Sequence, residues 1–226
     1  MLMKLLAVGN TAKVFLTEKQ QVIKVYHKKY QSLAHVEYNN YLIAQKHGLP
    51  VSANVAIKKI GNRNCLVLDY IDGMTIDQFK NHFSKKIEIL VSLQKAFNDK
   101  LEHSLKSYKE LLIDCAEKNI LLINRIQKLP DQDYMCHGDF HFENIIRSNN
   151  RYFVVDLGTL CRGPKEYDIA NTVYLIYYKC GRIFSLKLLK KYLRLRGVSF
   201  SELRPYLKII SLCDKEIIKR KKLERK

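Results

Sequence analysis

From Thr75 to Lys128 the chain contains no glycine and no proline, whereas both residues punctuate the stretches on either side. Its apolar residues recur at helical spacing, as in Ile87, Leu90, Phe97 and Leu101, so the spacing predicts several helices there. The first seventy residues read differently. Residues 4–8, 12–17 and 21–27 alternate apolar and polar side chains around short turns, the pattern of half-buried strands. Residues 54–60 and 64–71 predict two more strands, separated by the turn Gly61-Asn62-Arg63. Between these groups, residues 32–48 read as one helix with Ser32 as N-cap, Leu33, Val36 and Ile43 on one face, and Gly48 and Pro50 as the stop. After Pro130, Ile145–Arg147 and Tyr152–Asp156 predict a hairpin around Ser148-Asn149-Asn150. From Glu166 the chain is again helical, with breaks near Gly181, Gly197 and Pro205. The expected architecture is therefore α+β: a five-stranded antiparallel sheet with one helix over residues 1–72, and a mostly helical part over 73–226.

Composition narrows the classes. With 47% hydrophobic and 27% charged residues, the chain is an ordinary globular one. No apolar run reaches the roughly 18–20 residues of a membrane span, and MLMKLLAVG is too short for a secretory signal, so a cytoplasmic protein is expected. Six scattered cysteines without a C-x-x-C pair argue against a disulfide framework or a Cys-rich zinc site.

The formal charge is +18, and its distribution is uneven. Residues 1–70 carry 10 basic and 3 acidic side chains, residues 71–181 carry 15 of each, and residues 182–226 carry 15 and 4. A solvated, lysine-rich surface accounts for such an excess. The basic C-terminal segment nevertheless makes an anionic surface a candidate partner, while nucleic acid is not expected.

Two phosphate cradles are absent: neither G-x-x-x-x-G-K-[ST] nor G-x-G-x-x-G occurs. Another inventory is present. CHGDFHFENII, Cys136 to Ile146, carries Asp139 and Asn144, and Asp156 follows in VVDLGT. Upstream, Lys24 lies in a predicted strand and Glu37 on the helix after it. Phosphoryl transfer calls for one carboxylate to orient the attacking hydroxyl and accept its proton. It also calls for an amide oxygen and a second carboxylate to hold Mg2+, and for a lysine, itself held by a glutamate, to grip the phosphates.

Each residue has a plainer reading. Asp139 and Asn144 are common turn residues, Lys24 suits an exposed strand position, and Glu37 an exposed helix face. His137 and His141, with Cys136, raise a zinc site for which the sequence offers no third and fourth ligand nearby. Tyr174, Tyr177 and Tyr178 read as helix residues rather than a stacking platform.

The loop HGDFHFENII resembles the H-G-D-x-H-x-x-N catalytic loop of the aminoglycoside phosphotransferase and choline kinase group, bacterial small-molecule kinases with the protein-kinase-like fold. VVDLGTLCRGPKEYDIANT, the lysine strand VIKVY, the helix HVEYNNYLIAQKHGLPV and the hinge strand CLVLDYIDG follow the same group in the expected order over most of residues 1–180. The resemblance implies a nucleotide-binding first lobe and a second lobe with the catalytic loop and acceptor site. It makes Asp139 the catalytic base, Asn144 and Asp156 the Mg2+ ligands, and Lys24, paired with Glu37, the α/β-phosphate contact. It places the adenine edge at the backbone of Asp69, Tyr70 and Ile71, the phosphates over the turn at Gly9, and Asp168 as a brace of the loop. ATP or GTP is then the co-substrate and a small-molecule hydroxyl the acceptor. A small atypical protein kinase, or a kinase-fold binding protein without catalysis, is the alternative.

Two departures stand out. The first turn carries only Gly9, and Phe142-Glu143 replaces the usual Pro-Gly, adding a negative charge beside the metal. Asp131, Asp133, Asp139, Glu143, Asp156, Glu166 and Asp168 also gather near the loop in sequence, which predicts an acidic region suited to a cationic acceptor.

Overall fold

The alternating segments pair as the sequence predicts. Strands β1 (Met3–Val8), β2 (Ala12–Thr17), β3 (Gln21–Tyr26), β4 (Val55–Ile60) and β5 (Arg63–Asp69) form one antiparallel sheet in the order β1-β2-β3-β5-β4. Because side chains alternate along a strand, β3 sorts its residues onto two faces. Ile23 and Val25 pack with Cys65 and Val67. Val22, Lys24 and Tyr26 project to the other side.

Helix α1 (Leu33–Lys46) joins β3 to β4. Its buried residues are Ala34, Glu37, Asn40, Tyr41 and Ala44. The face expected from Leu33, Val36 and Ile43 is displaced: Val36 is exposed, and the buried face carries Glu37. Hydrophobic spacing misplaced it because a carboxylate with a cationic partner occupies its centre. Ser32 does not cap either; its backbone is already helical and its side chain makes no capping bond.

The structure, a computed structural model, describes residues 3–79 and 83–223 and falls into two compact units. One is Met1–Lys80 with Phe142–Gly158; the other is Asn81–His141 with Thr159–Lys226. The first unit thus takes in more than residues 1–72. Met74–Thr75 forms the strand β6, followed by a single 3-10 turn over Ile76–Gln78, where the absence of glycine and proline suggested helix. Strand β6 pairs with the hairpin of β8 (Ile145–Ser148) and β9 (Arg151–Val154) in the order β6-β8-β9. Asn149 and Asn150 turn that hairpin with φ of 46° and 60°, as a two-residue primed turn requires.

The second unit holds α2 (Phe83–Asn98), α3 (Tyr108–Ala116), α4 (Ile120–Gln127), α5 (Lys165–Cys180), α6 (Arg182–Arg196) and α7 (Phe200–Leu223). A short antiparallel pair, β7 (Tyr134–Cys136) with β10 (Cys161–Gly163), lies among them. Ser107 and Glu110 form a reciprocal capping box at the start of α3. Pro205 does not end α7: it sits inside the helix, whose Leu203, Tyr206, Ile209, Ile210 and Cys213 are buried. That burial outweighs the one hydrogen bond proline forfeits. Among the described residues, no helix is long and apolar enough to cross a membrane.

Candidate active site

Lys24 pairs across the sheet with Val14 and Leu66, at the centre of β3. Its ammonium donates to Glu37 Oε2 at 2.8 Å and to Asp156 Oδ1 at 2.7 Å. Glu37 is 1% exposed and also accepts from the Tyr26 hydroxyl at 2.5 Å. Tyr26 reaches it because residues two apart on a strand share a face.

The electrostatics follow from burial and charge. Burial works against the charged Lys24, but Glu37 and Asp156 outweigh it and raise its pKa, keeping the ammonium charged. Burial also pushes the Glu37 carboxyl up, against the pull of Lys24 and with a further push from Asp156. The Tyr26 hydroxyl is raised by its burial and then by Glu37, so it stays a donor.

Asp156 lies two residues beyond β9 at φ 63°, a left-handed conformation that costs a non-glycine residue free energy. The segment around it is tethered on both sides. Val154 N–H donates to Pro50 O at 2.7 Å and Val155 N–H to Asn144 O at 3.0 Å. Beyond it, Asn40 Nδ2 donates to Leu157 O at 2.7 Å. These bonds hold the strained residue and set Asn144 beside its strand.

A cavity of about 200 Å³ opens on this cluster. Leu6, Val14, Val22 and Leu68 give it an apolar wall, Lys24, Glu37 and Asp156 its charged part, and Asp69, Tyr70 and Ile71 one side. That side is tied down: Tyr70 N–H donates to Gln20 O at 3.0 Å, and the Asp69 carboxylate accepts from Asn54 Nδ2 at 2.7 Å. Gly9 is not among the lining residues; its N–H closes the β1–β2 turn on Ala12 O at 2.9 Å. Sequence reasoning missed Tyr26 and the apolar wall, although period two from Lys24 points to Tyr26 and Val22.

Asp139 belongs to the second unit, in a loop with its own supports. Gly138, at φ 75°, donates its N–H to Asp168 Oδ1 at 3.0 Å, and its carbonyl accepts from Asn171 Nδ2 at 2.6 Å. Asp168 is fully buried and also accepts from Gln94 at 2.9 Å and Asn98 at 3.0 Å. His137, likewise buried, accepts the Asp139 N–H on Nδ1 at 3.2 Å and packs edge-on against Phe140. His141 Nε2 lies 3.6 Å from Asp139 Oδ1. The histidines thus position the loop. Among the described residues no cluster of three or more histidine, cysteine or acidic side chains stands ready to hold a metal ion.

Residues 91–206, just over half the chain, match the profile of the phosphotransferase enzyme family. The chain belongs to that family. No curated protein gives a significant match to its sequence. Solved structures do match, and they share the fold. A thermostable mutant of aminoglycoside phosphotransferase APH(4)-Ia superposes with a TM-score of 0.69 at 14% identity, covering 97% of this chain and 89% of that one. The GDP and kanamycin complex of APH(2")-IIia gives 0.67 at 13% identity, covering 99% and 86%. APH(3'')-Id from Streptomyces rimosus, in complex with ADP and streptomycin, gives 0.68 at 14% identity, covering 93% and 92%. The phosphotransferase fold expected from the sequence is thereby established.

Proposed function

We propose that this phosphotransferase moves the γ-phosphate of ATP or GTP to a hydroxyl of a small-molecule acceptor. The observation that carries the reading is the convergence of Lys24, Glu37 and Asp156 at the charged end of an apolar cavity. An apolar cavity wall suits a purine, and a cation fixed beside a carboxylate suits its phosphates. The nucleotides and aminoglycosides bound in the matched structures support both substrate classes.

In this reading Lys24, oriented by Glu37, grips the α/β-phosphates. Asp139 orients the acceptor hydroxyl and takes its proton as the oxygen attacks the γ-phosphorus. The bond from that phosphorus to the β–γ bridging oxygen breaks, and the nucleoside diphosphate leaves. The oxygen donors of Asn144 and Asp156 suit Mg2+, a hard cation that takes oxygen ligands. When bound, Mg2+ supplies charge neutralisation at the phosphates. The nucleotide co-substrate also agrees with a cytoplasmic location.

The expected acidic region is largely committed elsewhere. Asp131 pairs with Lys109 at 2.7 Å, Asp133 with Arg162 at 2.7 Å, Asp156 with Lys24, and Asp168 with its own loop. A cationic acceptor therefore has less to bind than the sequence suggests, and neutral polyols belong in the screen beside amino sugars. The test is a thermal-shift panel of ATP and GTP with and without Mg2+, followed by assay of nucleoside diphosphate release with each acceptor. Stabilisation by a Mg-nucleotide together with acceptor-dependent release is the expected result. No response to either nucleotide would refute the reading.

A further inference from the structure

Helix α6 is basic on a face that is also greasy. Its fifteen residues include Arg182, Lys187, Lys190, Lys191, Arg194 and Arg196 and no acidic side chain. The inward face is Ser185, Leu188 and Tyr192. Outward, Ile183 is 69% exposed and Leu186 53%, with Lys187, Lys190 and Arg194 exposed on the succeeding turns. Just before it, at the end of α5, Tyr177 and Tyr178 are exposed as well. Lys191 spends its charge on Glu88 at 3.0 Å, but Arg182, Lys187 and Lys190 make no ion pair among the described residues.

Exposed aliphatic residues one turn apart, interleaved with lysines and preceded by tyrosines, are the chemistry of a helix that lies in a membrane interface. The apolar groups enter the acyl boundary, the aromatic rings sit at headgroup depth, and the cations meet anionic lipid. We propose that the α6 face, with the end of α5, docks this protein on an anionic phospholipid surface. A second copy of the chain fits the face less well, because it would bring two sets of like charges together. Nucleic acid fits less well because phosphates have no use for Ile183 and Leu186. A contact made by one face of a helix lying in the interface is peripheral and reversible. It is independent of the catalytic reading, since none of these residues lines the nucleotide cavity.

The test is sedimentation of the full chain with vesicles of phosphatidylglycerol and phosphatidylcholine, against vesicles of phosphatidylcholine alone. Binding to the anionic vesicles only is expected. Lys187→Gln with Lys190→Gln should weaken it about twenty-five-fold, at about fivefold per basic residue near the surface. Ile183→Ser with Leu186→Ser should weaken it comparably at unchanged charge, and both pairs should keep the Mg-nucleotide thermal shift of the wild type. Equal binding to both vesicle types, no binding at moderate salt, or binding untouched by either pair would overturn the proposal. So would self-association lost in the serine pair without any vesicle binding, or displacement of vesicle-bound protein by stoichiometric RNA.

Discussion

The Lys24 ammonium lies 2.7 Å from Asp156 Oδ1, although 132 residues separate them along the chain. A buried lysine bridging two carboxylates is costly to desolvate and pays little as a stability device. Its value lies in presenting a fixed cation at the cavity. Lys24→Met should therefore weaken Mg-nucleotide binding by about tenfold to a hundredfold, the range of one or two charge-assisted hydrogen bonds. Titration calorimetry measures this directly, and wild-type affinity in the variant would contradict the assignment.

The same cluster predicts a pH signature. Burial raises the Glu37 carboxyl in the folded protein, with Lys24 opposing. For an acid raised on folding, the favourable contribution is full below the unfolded value and lost as pH rises through the folded one. Lys24→Met removes the opposing cation and leaves Glu37 with the Tyr26 hydroxyl and the repulsion of Asp156. The urea midpoint of this variant should thus fall, relative to wild type, as pH rises above the ordinary glutamate value near 4.3. Adding Glu37→Gln should flatten the difference. Parallel midpoints for wild type and Lys24→Met above that value would count against a raised Glu37.

Asp139 and Asp156 should separate binding from chemistry. Asp139→Asn keeps the loop's shape and removes the base, so nucleotide affinity should persist while turnover drops by about 10²–10⁴. Asp156→Ala should instead abolish the Mg2+ dependence of nucleotide binding. Fluorescent-nucleotide titrations with and without Mg2+, beside turnover assays, distinguish the two. Full turnover by Asp139→Asn would exclude it as the base.

What the sequence disclosed, and what it hid, have physical causes. The sheet was readable because period-two alternation and the Gly61 turn specify strands locally, and Lys24 and Asp156, which the fold brings into contact, stood out by chemistry. The buried face of α1 was not readable. Glu37 counts as polar in any periodicity, and only its distant partner Lys24 makes its burial tolerable. Met74–Thr75 was hidden for a similar reason: its strand exists by pairing with Arg147 and Ile146, some seventy residues away along the chain. Pro205 misled because its local cost is small beside the buried face of α7.

The loop that carries Asp139 yields one more measurable contrast, between two glycines with positive φ. Gly138 (φ 75°) and Gly197 (φ 63°) both adopt a conformation that costs an alanine about 1–2 kcal/mol. Their surroundings differ. A Cβ at Gly138 would stand 2.6 Å from Thr159 O, a backbone atom of a segment held by the Thr159 hydroxyl bond to His137 O at 3.0 Å. A Cβ at Gly197, the left-handed C-cap of α6, would meet nothing within 4 Å. Gly197→Ala should cost only the backbone term. Gly138→Ala adds overpacking of about 1–3 kcal/mol and strains the bonds from Gly138 to Asp168 and Asn171 that set Asp139. Urea unfolding should show Gly138→Ala the less stable by that increment, with turnover lost even where it remains folded and nucleotide affinity largely kept. Equal stability of the two variants would mean that the loop yields freely around Thr159, and that Asp139 is not rigidly held.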